Sequence, residues 1–184
     1  MGKHKFLFWL MVTIFLVSIY SFAIADDEDT DRLSLKGLKG IYVKVLLTSK
    51  DVEELENRGI NKETIKTDVE LKLRMAGVKV VSIEELNKII GKPFLTISLV
   101  GITVATKEPT KDKHIAFGFR IAFFQDVFLA RNMESCPSAE TWSLGSVGHA
   151  MTDRNIATFI RGHIKDLTDR FINAYLSVNP KVGK

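Results

Sequence analysis

Residues 153–180 read DRNIATFIRGHIKDLTDRFINAYLSVNP, and this stretch decides how the chain is layered. Its apolar residues Ile156, Ile160, Ile164, Leu167, Phe171, Ala174 and Val178 step by three or four, the period of one helix face. Asp153 is placed to cap the start, and Asn179-Pro180 ends the pattern. About 25 residues at 1.5 Å each span roughly 37 Å, enough to cross a whole sheet. A long helix with one apolar stripe must bury that stripe against another layer.

The segments ahead of it supply the layer. Residues 94–104 alternate, with Leu95, Ile97 and Leu99 to one side and Thr96, Ser98 and Val100 to the other. Gly101 breaks the phase and predicts a bulge, after which Ile102 and Val104 resume it. Residues 114–130 put Phe117, Phe119, Ile121 and Phe123 on one face; residues 139–147 set Trp142 and Leu144 opposite Thr141, Ser143 and Gly145. The three segments predict an antiparallel meander.

Upstream, residues 41–47 (IYVKVLL) predict a strand. Asp51, Glu53, Glu54 and Glu56, ending at Gly59, suit a short helix or an exposed loop. Asn61 is an N-cap, Glu63 puts acid in the first turn, and Gly77 follows as the stop of a helix. Its stripe is Ile65, Val69 and Leu73, widened by Leu71 and Met75. Residues 78–81 predict a short strand. Ser82-Ile83-Glu84-Glu85 is a capping box opening a second helix that Gly91 and Pro93 close. The predicted class is α+β, in the order β-α-β-α-β-β-β-α. Its sheet is mostly antiparallel, with the helices, including the long C-terminal one, packed on one face. One domain covers residues 37–180, after a flexible polar segment at 26–36 and before a tail at 181–184.

The 184 residues, 46% hydrophobic and 26% charged, exclude a collagen, a disordered tail and a disulfide scaffold. The first 25 residues are a targeting segment: basic Lys3, His4 and Lys5, an apolar run from Phe6 to Phe22, then Ala23-Ile24-Ala25. The run also approaches the roughly 20 residues of a spanning helix, so an uncleaved anchor is the other reading. The Ala-x-Ala site favours cleavage after Ala25, and an exported protein, periplasmic or secreted. No cysteine lies near that site, which excludes a bacterial lipoprotein anchor. Losing Lys3 and Lys5 lowers the net charge from +4 to +2, and no clustered basic face marks a nucleic-acid binder. Lys107, Lys111, Lys113 and His114 are interleaved with Glu108 and Asp112, as in a solvated hairpin loop.

The chain resembles a family of uncharacterised exported bacterial proteins. The residues that carry the resemblance are Leu35-Lys36-Gly37-Leu38-Lys39-Gly40, Thr67 through Gly77, Gln125-Asp126-Val127 with Leu129-Ala130-Arg131, and Phe171 through Pro180. They span most of the chain beyond the targeting segment and imply no activity or catalytic residue. The element order is also similar to small envelope-assembly proteins of the lipopolysaccharide-transport type, at fold level only. Those proteins are usually lipid-anchored, and this chain departs from them in lacking the anchoring cysteine.

Catalytic signatures are missing. No G-x-S-x-G, P-loop, H-E-x-x-H or G-x-G-x-x-G occurs. His114, His149 and His163 lack metal-type spacing, so neither a metal nor a cofactor is expected. Glu84 and Glu85 belong to the capping box, and adjacent helical residues do not face one another. Gly145-Ser146-Val147-Gly148 ahead of the long helix reads as a strand ending in a glycine-eased bend, with an anion nest at the helix N-terminus as the sharper alternative. Cys136, the lone cysteine, cannot cross-link its own chain; it is an inert thiol, an intermolecular disulfide partner, or a nucleophile paired with His149.

The second face of the meander is more informative. It carries Thr96, Ser98 and Val100, then Ala116, Gly118, Arg120 and Ala122, then Thr141, Ser143 and Gly145. A solvated face would carry more Lys and Glu. One reading makes Arg120 the anchor for an anionic ligand or an envelope-protein partner; the other has Arg120 merely keeping an open sheet soluble. The expectation is a non-catalytic binding or assembly module of the cell envelope. Its alternative is a small periplasmic enzyme whose site joins distant residues such as Cys136 and His149.

Overall fold

The structure, a computed structural model, describes residues 29–49, 56, 59–104, 114–151 and 156–180. The targeting segment, the Asp51–Glu54 acids, Lys107 to Lys113 and the Asp153 cap lie outside them.

The elements run α1 (Asp29–Arg32), a 3-10 turn (Leu33–Leu35), β1 (Tyr42–Ser49), α2 (Lys62–Met75), α3 (Ile83–Leu86), β2 (Phe94–Val104), β3 (His114–Asp126), β4 (Ser138–Met151) and α4 (Ile156–Val178). The sheet order is β1-β2-β3-β4, with β1 parallel to β2 and the other pairs antiparallel. This is the α+β arrangement predicted. Asn61 Oδ1 accepts from the Thr64 amide at the start of α2, and Ser82 and Glu85 complete the capping box of α3. The core lies between one sheet face and the helices. It joins Leu95, Ile97 and Leu99, the row from Phe117 to Phe123, Trp142 and Leu144 to the stripes of α2 and α4. Every predicted stripe residue of α4 from Ile156 to Ala174 is buried.

Four local readings are corrected. The strand at 78–81 shrinks to a single parallel bridge between Ile41 and Val80, because the chain turns at Ser82 to cap α3. Leu71 and Met75 do not widen the α2 stripe: they are 55% and 77% exposed. Leu71, two residues past Val69, stands about 200° round the helix from it. Gly101 makes no bulge, since β2 pairs with β3 without a break from Phe94 opposite Phe124 to Val104 opposite His114. The irregularity is on β4, where Phe123 faces Trp142 but Phe124 faces Glu140, leaving Thr141 as the extra residue. Finally, residues 26–36 are structured from Asp29 onward. Leu35 is fully buried, and Asn179 holds this segment by donating to the Leu35 carbonyl and accepting from the Gly37 amide.

Gly162 stands in the interior of α4, and a Cβ there would meet nothing within 4 Å. Packing therefore does not require glycine. Gly162→Ala is expected to raise stability by about 0.5–1 kcal/mol by restricting the unfolded chain and favouring the helix. Urea denaturation checks this; a loss of stability would mean a neighbour crowds the position.

Candidate functional site

The sheet face away from the core cluster that α2 and α4 join is built by strand register in four rungs. Tyr42, Phe94, Phe124 and Glu140 form the first; Lys44, Thr96, Ala122 and Ser143 the second. Leu46, Ser98, Arg120 and Gly145 form the third; Thr48, Val100, Gly118 and Val147 the fourth. The rings of Phe94 and Phe124 stack across the strands at 5.2 Å with 7° between their planes. Thr96 and Ala122 are buried although neither belongs to the core cluster on the other face. At the other end Leu46, Val100 and Val147 stay exposed, Val147 at 83%. A Cβ on Gly118, between Val100 and Val147, would meet nothing within 4 Å.

Arg120 stands in this face, as predicted, but it has a partner that the sequence reading did not place there. Its Nη2 donates to Glu140 Oε1 at 2.6 Å and to Ser143 Oγ at 3.3 Å. The bulge is the reason. An extra residue at Thr141 shifts the alternation by one, so Glu140 joins the open face. Thr141 does not: its Oγ1 accepts from Gln125 Nε2 at 3.1 Å, and its carbonyl accepts from Ser34 Oγ, a residue of the N-terminal 3-10 turn. Glu140 neutralises Arg120 only in part of its hydrogen-bonding capacity. The Nε and Nη1 groups have no partner among the described residues, and a guanidinium can hold a second acceptor through them.

The catalytic alternatives fare differently. Cys136 is exposed just before β4, whereas His149 lies near the far end of that strand. From Ser138 to His149 the backbone travels roughly 36 Å, so the two do not form a site. Residues 145–148 are neither a bend nor a nest: β4 runs through them, pairing Gly145 with Arg120 and Gly148 with Phe117. Gly148 is needed for packing, as a Cβ would sit 2.7 Å from the Phe159 ring. The His163 ring stacks on Phe119 at 4.8 Å and meets the Phe159 ring edge-on at 4.6 Å, an aromatic edge to the core. At Glu84 the Ser82 side chain, by hydrogen bonding, holds the carboxyl below the usual carboxylate range, which suits a charged helix start and not a proton donor. Among the described residues no group of His, Cys, Asp and Glu could hold a metal ion, and no helix is long and apolar enough to cross a membrane.

No family model matches the chain, and no curated protein matches it. Among solved structures it is similar to rare lipoprotein B from Shewanella oneidensis, at 15% identity and TM-score 0.36, over 74% of this chain and 96% of that one. It is also similar to a hypothetical protein from Chlamydia trachomatis, at 9% identity and TM-score 0.42, over 76% and 99%. A lipoprotein from Neisseria meningitidis is similar at 16% identity and TM-score 0.33, over 74% and 99%. The likeness is at fold level, and at these scores it says nothing of function.

Proposed function

We propose that the chain is a non-catalytic module of the bacterial cell envelope, exported through its targeting segment, that holds a partner against the uncovered sheet face. The observation that carries this reading is the composition of that face. It joins exposed Leu46, Val100 and Val147 to an arginine with spare donors, on a sheet whose other side is fully packed. Water is a poor neighbour for apolar side chains gathered toward one end of a sheet face, and a partner would relieve that exposure. Arg120 then sets orientation, donating to an anionic group of the partner beside its pair with Glu140.

A photo-reactive residue placed at Val147 in growing cells tests this, with Met75 on the helix side as the control. A discrete adduct is expected from position 147 in the envelope fraction, on a chain beginning at Asp26, and none from position 75. Arg120→Glu should remove the adduct, because it turns an attraction for an anionic group into repulsion. Equal labelling from both positions, or an adduct indifferent to Arg120→Glu, would sink the proposal.

A further inference from the structure

Three connections meet at the end of the sheet where β3 finishes, and each exposes large apolar side chains. The Gly91 carbonyl accepts from the Asp126 amide at 2.7 Å, and Lys92 Nζ lies 3.8 Å from Asp126 Oδ2. These contacts fasten the turn before β2 to the end of β3. The Ser34 carbonyl accepts from Gln125 Nε2 at 3.2 Å, which brings the 3-10 turn to the same place. Ile90 on the first connection is 100% exposed, Phe128 and Met133 on the second 62% and 65%, and Leu33 on the third 62%.

Local backbone geometry does not call for these residues. The Lys92 amide donates to the Ile89 carbonyl at 3.1 Å, and Gly91 has φ +81°, as the third residue of a type II turn requires. Such a turn makes no use of an apolar side chain at Ile90, and turns facing water favour polar residues. Phe128 stands on a hydrogen-bonded finger. The Val127 amide donates to the Pro137 carbonyl at 3.0 Å and the Leu129 amide to the Ser135 carbonyl at 3.3 Å. The Asn132 amide closes the tip on the Leu129 carbonyl at 2.9 Å. Alternation turns Phe128 away from the half-buried Val127 and Leu129. Side chains projecting from the turns of separate loops suit a fluid interface, which envelops each of them without shape complementarity.

The chain enters the domain at this same end. Asp29 opens α1, directly before the 3-10 turn, and only residues 23–28 separate it from the apolar run that ends at Phe22. Those residues reach at most about 25 Å, so this end stays close to any bilayer that the run occupies during export. Residues 29–35, 87–93 and 126–137 together carry four cations and four carboxylates, so a contact made by them needs no anionic lipid.

We propose that this end of the domain docks on the surface of a phospholipid bilayer, with Ile90 and Phe128 entering the headgroup region and Leu33 and Met133 beside them. The proposal rests on the export reading of residues 1–25. It is independent of the sheet face and of Arg120.

Cys136 is exposed on the same finger, across from Phe128, and gives the label its site. Protein exported from cells expressing the full chain is labelled there with an environment-sensitive fluorophore and titrated with phosphatidylcholine vesicles. Emission should rise and shift to the blue, and lipids spin-labelled near the headgroup should quench it. The same label on Thr48→Cys in a Cys136→Ser background, at the far end of β1, should not respond. Ile90→Ser and Phe128→Ser should each weaken vesicle binding about tenfold and together about a hundredfold. Both positions are exposed, so the melting temperature should stay as it is. Silence at Cys136, or a response that survives the double substitution, would overturn the proposal. So would a response confined to vesicles containing envelope proteins, which marks a protein partner, or to anionic vesicles, which marks attraction by charge.

Discussion

Phe119→Ala is expected to lose about 3–5 kcal/mol of stability, and its neighbour Arg120→Ala no more than about 1 kcal/mol. Phe119 is 2% exposed and packs its ring on three others: Phe117 at 5.9 Å, Phe159 at 6.2 Å and His163 at 4.8 Å. Removing the ring leaves a cavity that these neighbours, held on two different layers, cannot collapse into without giving up their own contacts. Arg120, one residue on, points to the uncovered side with its side chain 52% exposed. Truncating it loses only a partly exposed ion pair with Glu140, and water reaches the carboxylate that remains. Urea denaturation of both variants settles the comparison. A mild Phe119→Ala with a collapsed Arg120→Ala would mean that the helices cover the other face. The sheet-face proposal would then fall with the orientation.

That orientation was legible from alternation alone, because a buried face imposes period two on every strand that crosses it. Leu95 to Leu99 and Phe117 to Phe123 carry the signal without a break, and so does the α4 stripe at its own period. What the pattern could not place was Thr141. A bulge needs no particular residue, and Glu140-Thr141-Trp142 reads as ordinary alternation until the partner strand is known. One unplaced residue moved Glu140 onto the open face and gave Arg120 its ion pair. Gly101 misled in the opposite sense: glycine often marks a bulge, yet here it sits within an unbroken ladder opposite Phe117. The ion pairs of Asp68 with Arg161 and of Lys72 with Asp169, which tie α2 to α4, were equally out of reach: the partners lie more than 90 positions apart, and surface charges at helical spacing look alike whether or not they bridge two helices.

Asn179→Ala is expected to cost about 1–3 kcal/mol, a large effect for a partly exposed polar residue at the end of a helix. Its side chain closes three hydrogen bonds. Nδ2 donates to the Tyr175 and Leu35 carbonyls, each at 2.9 Å, and Oδ1 accepts from the Gly37 amide at 2.8 Å. One residue thus ends α4 and fastens a segment 144 positions earlier in the chain. Short polar stretches have little apolar surface with which to hold themselves, and Leu35 is the one residue of the 3-10 turn that is buried. Without Asn179 its carbonyl loses a donor, and the turn carrying Ser34, which donates to the Thr141 bulge, loses its fixed position. Hydrogen exchange distinguishes this from general destabilisation. Amides at Lys36 and Gly37 should exchange far faster in Asn179→Ala, while those of β2 and β3 slow or quicken only with global stability. Asn179→Asp is the sharper variant: it keeps an acceptor for the Gly37 amide but removes both donors, so Leu35 should loosen while Gly37 stays protected. If Gly37 and the strands lose protection together in both variants, Asn179 supports the whole fold and is not a local clasp.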